Sequence, residues 1–175
     1  MRKSELKKKT PLKATTSLKA TTKKRPKQTI PMLTDKADTA FSRYVRLRDC
    51  LFTGSNWQGE CITCSKTLTV LTEEGRWNRG TNVGHFIGRG TKELRYDEYN
   101  CNLQCAHCNA WADKEWMQEQ YRKGIVDKYG KDTLKELKQR AKIIRTNSRA
   151  ELEEVIHDST VELAYMLANS DVYKV

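Results

Sequence analysis

Two cysteine pairs, Cys61-Ile62-Thr63-Cys64 and Cys105-Ala106-His107-Cys108, stand at the C-x2-C spacing that lets two thiolates grip one tetrahedral ion from a tight turn. Together they predict one structural zinc ion with four cysteine ligands. A redox C-x-x-C is the competing reading, but it requires a thioredoxin-like strand and helix, which neither pair is given. Cys50 and Cys101 fall outside the spacing and read as buried thiols. His107, inside the second knuckle, reads as solvent-facing.

A plain zinc ribbon separates its pairs by about 15–20 residues, whereas 40 residues lie between Cys64 and Cys105. The insert carries Val83-Gly84-His85-Phe86-Ile87, a short strand-like run with a histidine at its centre, followed by the turn Gly88-Arg89-Gly90. It ends in Leu94-Arg95-Tyr96-Asp97-Glu98-Tyr99-Asn100, and Asn109 stands directly after the second knuckle. Phosphodiester hydrolysis, the activity implied by the nuclease motif that these residues resemble, needs an activated water, a cation to meet the charge on the phosphate, and groups that position both. A neutral imidazole at His85 can take a proton from water near pH 7. Asn100 has the donor and acceptor needed to orient that ring. Asn109 offers a carbonyl oxygen to a hard divalent ion such as Mg2+ or Mn2+. Arg89 and Arg95 are candidates for phosphate contact, with ordinary surface arginine as the plain alternative.

The order His85, Asn100, Cys105-x2-Cys108-Asn109 resembles the zinc-bearing HNH, or ββα-metal, nuclease motif in its variant with Asn in the last position. More narrowly, Gly-His-Phe, Leu-Arg-Tyr-Asp-Glu-x-Asn and Gln-Cys-x-x-Cys-Asn, behind a lysine-rich start, resemble the lambdoid phage NinG (Rap) family of recombination endonucleases that cut branched DNA. The matching stretch covers about residues 57–130. The resemblance implies that His85 is the general base of a metal-dependent endonuclease acting on Holliday junctions or D-loops, in the cytoplasm of a bacterial host. One position departs from the motif: many HNH nucleases carry Asp before the histidine as a metal ligand, and here it is Gly84. Asp113, four residues after Asn109, shares a face with it if both lie on one helix, and is the expected replacement; Asp97 is the second.

The elements that must hold these groups are few. The fold expected is α+β: a small zinc-stapled ββα-metal core over residues 33–130 with an N-terminal packing helix, and C-terminal helices over 131–175. Thr34 or Asp35 caps the first helix, on which Ala37, Ala40, Phe41, Tyr44, Val45 and Leu47 recur at helical spacing. Residues 50–102 read as loops and small hairpins. A helix follows Cys105, punctuated by Gly124 or by Tyr129-Gly130. Two more run from about Asp132 to Ile144 and from about Arg149, capped near Asn147 or Ser148, to Ala168. Their amphipathic faces suit packing, or pairing across a homodimer.

Residues 1–32 are Lys, Thr and Ser punctuated by three prolines, too poor in apolar surface to offset ordering entropy, and read as disordered until bound. The chain of 175 residues carries a net charge of +11, from 33 Lys+Arg against 22 Asp+Glu. Eleven of those cations and a single acid lie within residues 1–30, so the remainder is nearly neutral. An arm bearing Lys7, Lys8, Lys9, Lys23, Lys24 and Arg25 recruits polyanions by counterion release, and DNA is the expected partner. A solubilising tail is the plain alternative. No apolar run long enough for a bilayer and no secretory h-region is present, so a membrane-spanning protein is not expected, and the cysteines are expected to stay reduced in the cytosol. The different-class reading is a zinc-finger protein that binds nucleic acid without cutting it. A restriction or homing HNH enzyme shares the chemistry, but no separate recognition domain for duplex sequence is evident.

Overall fold

The computed structural model describes residues 28–174. The arm residues Lys7, Lys8, Lys9, Lys23, Lys24 and Arg25 lie outside the described residues.

The first helix, α1 (Ile30–Arg48), begins four residues before the expected cap at Thr34. Thr29 caps it, its side chain accepting from the Met32 amide at 3.4 Å, and Pro31 sits in the first turn, where no intrahelical N–H is needed. Three short antiparallel strands follow: β1 (Cys50–Phe52), β2 (Trp57–Glu60) and β3 (Thr67–Leu71), in that spatial order. A separate hairpin pairs β4 (Thr81–His85) with β5 (Cys101–Cys105) in an unbroken register, Thr81 opposite Cys105, Val83 opposite Leu103 and His85 opposite Cys101. The stretch read as loops and small hairpins is thus two sheets, with a 3-10 turn at Lys92–Leu94 inside the loop that joins β4 to β5.

Helices then close the fold. The helix after Cys105 is broken in two, α2 (Ala106–Ala110) and α3 (Lys114–Tyr129), because Asp113 caps a fresh start. Gly124 does not punctuate α3. A Cβ there would lie 2.4 Å from the Ile62 carbonyl, so its missing side chain is what lets α3 pass against the first knuckle. α4 (Lys131–Arg140) stops four residues short of Ile144, which is completely exposed and therefore no core position. α5 (Arg149–Ala168) is closed at Ser148 by a full capping box with Glu151.

The core has two main parts. Leu47, Trp57, Leu68, Val70 and Leu103 gather between the two sheets, while Phe86, Leu94, Tyr121, Ile125 and Leu137 join α3 and α4 to the β4–β5 loop. Each such side chain, withdrawn from water, contributes about 1.5–3 kcal/mol before entropy is set against it. α1 and α5 run side by side in the same direction, Leu33 meeting Leu152 near their starts and Leu47 and Met166 sharing a cluster near their ends. Most of the apolar face of α5 is thereby used within the chain. Phe41 and Val45 of α1 also cover Cys101 and Val83, which brings α1 across the same face of the hairpin that carries His85. No helix among the described residues is long and apolar enough to cross a membrane.

Candidate metal centre and active site

The hairpin has a sulfur end and a histidine end. At the first, the Sγ atoms of Cys61, Cys64, Cys105 and Cys108 all lie within 4.8 Å of one another, and Cys64 and Cys105 are 3.9 Å apart. Four sulfurs about 2.3 Å from a tetrahedral zinc are separated by about 3.8 Å, so the set fits one zinc ion with no open position, the form of a structural site. Backbone amides already point at the sulfurs, from Cys105 to Cys61 at 3.3 Å and from Cys108 to Cys105 at 3.4 Å. The first knuckle is docked on β5 by the Ile62 amide to the Leu103 carbonyl at 2.9 Å, and Gln104 donates to the Thr63 hydroxyl at 2.7 Å. The four cysteines can hold one zinc ion. Cys50 and Cys101 are apart from this cluster and buried; burial pushes the Cys50 thiol up to about 12 and the Cys101 thiol up as well. His107 is exposed, as its place in the knuckle suggests.

At the other end, His85, Arg89, Arg95 and Asn109 line one polar cavity of about 390 Å³, together with Asp38, Ser42, Asn82 and Tyr96. The His85 ring places Nε2 3.1 Å from the Arg95 carbonyl oxygen. A carbonyl only accepts, so the neutral ring carries its proton on Nε2, and Nδ1 keeps its lone pair. Burial lowers the His85 pKa below its ordinary value of 6.5, against the pull of that hydrogen bond and with the help of the nearby Arg89 charge. The ring is therefore neutral at pH 7.

Asn100 is buried but does not bond to His85. Its side chain accepts from the Ile87 amide at 2.8 Å and donates to the carbonyls of Ile87 and Leu94, each at 2.9 Å. It thus pins both ends of the loop that presents the Arg95 carbonyl, and orients the histidine only through that loop. Asp113 also departs from expectation. The helix break after Ala110 takes it off the Asn109 face, and its carboxylate caps α3 by accepting from the Trp116 amide at 2.8 Å. Asp97 is spent as well, on the Asn100 amide at 2.8 Å and Arg140 at 2.6 Å.

Gly84, where many HNH nucleases carry a carboxylate, has no room for a side chain. A Cβ there would come within 2.3 Å of Gln104 Oε1 and 2.9 Å of the Tyr121 ring, and the position faces α3, away from His85. The carboxylate that does line the cavity comes from α1: Asp38. It holds Arg95 through both oxygens, at 2.8 and 2.5 Å, and accepts from the Tyr96 hydroxyl at 3.0 Å. Burial works to raise its pKa, but the bonds from Arg95 and Tyr96 outweigh it and hold the carboxyl below the usual range. Arg95 is accordingly an internal partner of Asp38, while Arg89 stays on the exposed turn with no ion pair among the described residues. Sequence reasoning missed Asp38 because α1 reads as a packing helix; the available signal was an acid one turn before Phe41 on its inner face.

No curated protein and no solved structure matches the chain. The family model described as bacteriophage lambda NinG protein matches residues 1–166, nearly the whole length and well beyond the stretch that carries the knuckles and the histidine. On that extent of agreement, the chain belongs to the NinG family.

Proposed function

We propose that this protein is a metal-dependent DNA endonuclease of the HNH class, acting on branched recombination intermediates. The observation that carries the reading is His85: a neutral imidazole whose Nδ1 has no partner among the described residues, facing a polar cavity that also receives Asn109 and Asp38. Nδ1 takes a proton from the attacking water as the new phosphorus–oxygen bond forms and the bond from phosphorus to the leaving oxygen breaks, that oxygen gaining its proton from solvent, and the Arg95 carbonyl steadies the imidazolium through the Nε2 proton. Asn100 contributes by fixing the loop that bears that carbonyl. Asn109 and Asp38 supply the oxygen donors suited to Mg2+ or Mn2+. Such an ion, when bound, stabilises charge on the scissile phosphate and the leaving oxygen. Zinc at the knuckles is structural and takes no part in the hydrolysis.

The preference for branched DNA rests on family resemblance. Resolving a four-way junction takes two cuts, which favours a homodimer; Val161 and Tyr165, exposed one turn apart on α5, are available to such a contact. One observation favours the second reading, a zinc-stapled DNA-binding protein without catalysis: the sole carboxylate lining the cavity among the described residues is already paired with Arg95. Incubation with labelled four-way junction, D-loop and linear duplex, with and without Mg2+ or Mn2+, decides between them. Metal-dependent cleavage of the branched substrates is expected; intact DNA under all conditions, despite binding, establishes the second reading.

A further inference from the structure

The His85 cavity continues into a second one of about 390 Å³ that shares Asp38, Ser42 and Arg89 with it and is otherwise lined by Thr39, Arg43, Arg46 and Trp77. Three guanidinium groups thus converge beside the candidate active site from two elements, α1 and the Gly88-Arg89-Gly90 turn. None of the three is ion-paired among the described residues, and Asp38 is engaged by Arg95. Arg43 and Arg46, three apart on α1, are neighbours on one face and repel.

Arg46 is half-buried, and the partners it has are all neutral: Nε donates to the Ser42 carbonyl at 3.2 Å, and Nη1 to the Thr81 carbonyl and hydroxyl at 3.2 and 3.3 Å. The guanidinium is stacked over Trp77, 4.7 Å from the ring centroid, which fixes its plane. Nη2 has no partner among the described residues. Burial, the larger effect, and the Arg43 charge lower the Arg46 pKa against an opposing contribution from Cys50, and no carboxylate among the described residues is ion-paired with it. A withdrawn, oriented, unpaired guanidinium with two cationic neighbours is an anion site, and the planar fork matches phosphate oxygens.

We propose that this groove binds the phosphodiester backbone next to the scissile position, with Arg43, Arg46 and Arg89 contacting its phosphates and the C-terminal half of α1 as the ledge along which the strand lies. The assignment rests on the endonuclease reading for the identity of the anion. It gives α1 a binding role beyond packing.

The test measures binding by the full chain to labelled duplex and four-way junction DNA with no divalent ion added, over about 50–200 mM salt, where each phosphate contact adds about 0.9 to the slope of log affinity against log salt on duplex. An Arg43→Gln/Arg89→Gln variant is expected to lower that slope by about two, with zinc content and helicity unchanged. Lys66→Gln/Lys123→Gln, the same charge change at two exposed lysines that line neither cavity, is expected to keep the wild-type slope. Arg46→Lys, which keeps the charge and loses the fork, is expected to weaken affinity several-fold at the wild-type slope. An unchanged slope in the first variant, or an equal loss in the lysine control, overturns the groove; an unchanged affinity in Arg46→Lys overturns the assignment of that residue. Failure of the two readings is separable. Unaltered binding by the arginine variants alongside metal-dependent cleavage by the wild type overturns the groove alone, whereas weakened binding alongside a wild type that never cleaves supports the groove and removes the nuclease.

Discussion

The Asp38 carboxylate and the Arg95 guanidinium face each other through two hydrogen bonds, at 2.8 and 2.5 Å, and the carbonyl of that same arginine receives His85 Nε2. An acid on α1 is therefore coupled to a base on β4 by one intervening residue. Asp38→Asn is expected to raise the Mg2+ or Mn2+ concentration needed for cleavage and to cost about 1–3 kcal/mol of stability, since it leaves a partly buried guanidinium without its charge partner. A metal titration of the cleavage rate and urea unfolding check the two effects separately.

His85→Ala is expected to slow strand cleavage about 10²–10⁴-fold. Zinc content, helicity and DNA affinity should stay at wild-type levels, because the ring is assigned to the water and to neither fold nor substrate. Cleavage at the wild-type rate would falsify the assignment, and loss of folding would make His85 a structural residue.

The pH dependence follows from the sign of the His85 shift. Burial favours the neutral ring, so its folded pKa lies below 6.5, and the base is lost only as pH falls through that lowered value. The acid limb of the pH–rate profile should accordingly inflect below 6.5. An inflection at or above 6.5 that disappears in His85→Ala contradicts the desolvated environment described for the ring.

Cys61→Ser is expected to release zinc and to destabilise the β4–β5 hairpin, since an ion held by these four thiolates would contribute to the folding free energy. Cys50→Ser should keep full zinc occupancy, as Cys50 stands outside the sulfur cluster. Metal analysis and circular dichroism of the two variants provide the comparison, and full zinc in Cys61→Ser would sink the four-sulfur assignment.

Removal of residues 1–27, cut before the Thr29 cap of α1, should weaken DNA binding and flatten its salt dependence while leaving the described fold intact. Cleavage at saturating DNA should persist. A slope equal to that of the full chain would show that the arm does not touch phosphate.

Much of the site is legible in the sequence because its chemistry is written in short spacings. The two C-x2-C pairs announce the sulfur cluster, and the strand-like run around His85 and the position of Asn109 bring both to one cavity. What stays hidden depends on contacts between distant segments. Asp38 lies 57 residues from Arg95, and nothing local marks it as more than one acid on a packing helix. Asp113 misleads for the converse reason: the i, i+4 rule presumes one continuous helix, and the break at Trp111 comes from a cap that competes with continuation. Gly124 looks like a breaker until the knuckle it must pass is in place.

The β4–β5 ladder has a parity. Four residue steps, about 13 Å of strand, separate Thr81 beside the sulfur cluster from His85 at the cavity, and because that number is even both ends lie on one face of the hairpin. A single residue added to β4 would keep all four clustered cysteines and His85 in the chain yet turn His85 toward Tyr121 and α3, away from Asp38. Two residues added would restore the face and displace the ring by about 7 Å along the strand, out of reach of the Arg95 carbonyl. Strand length in this hairpin is thus as strict a requirement as the identity of the histidine.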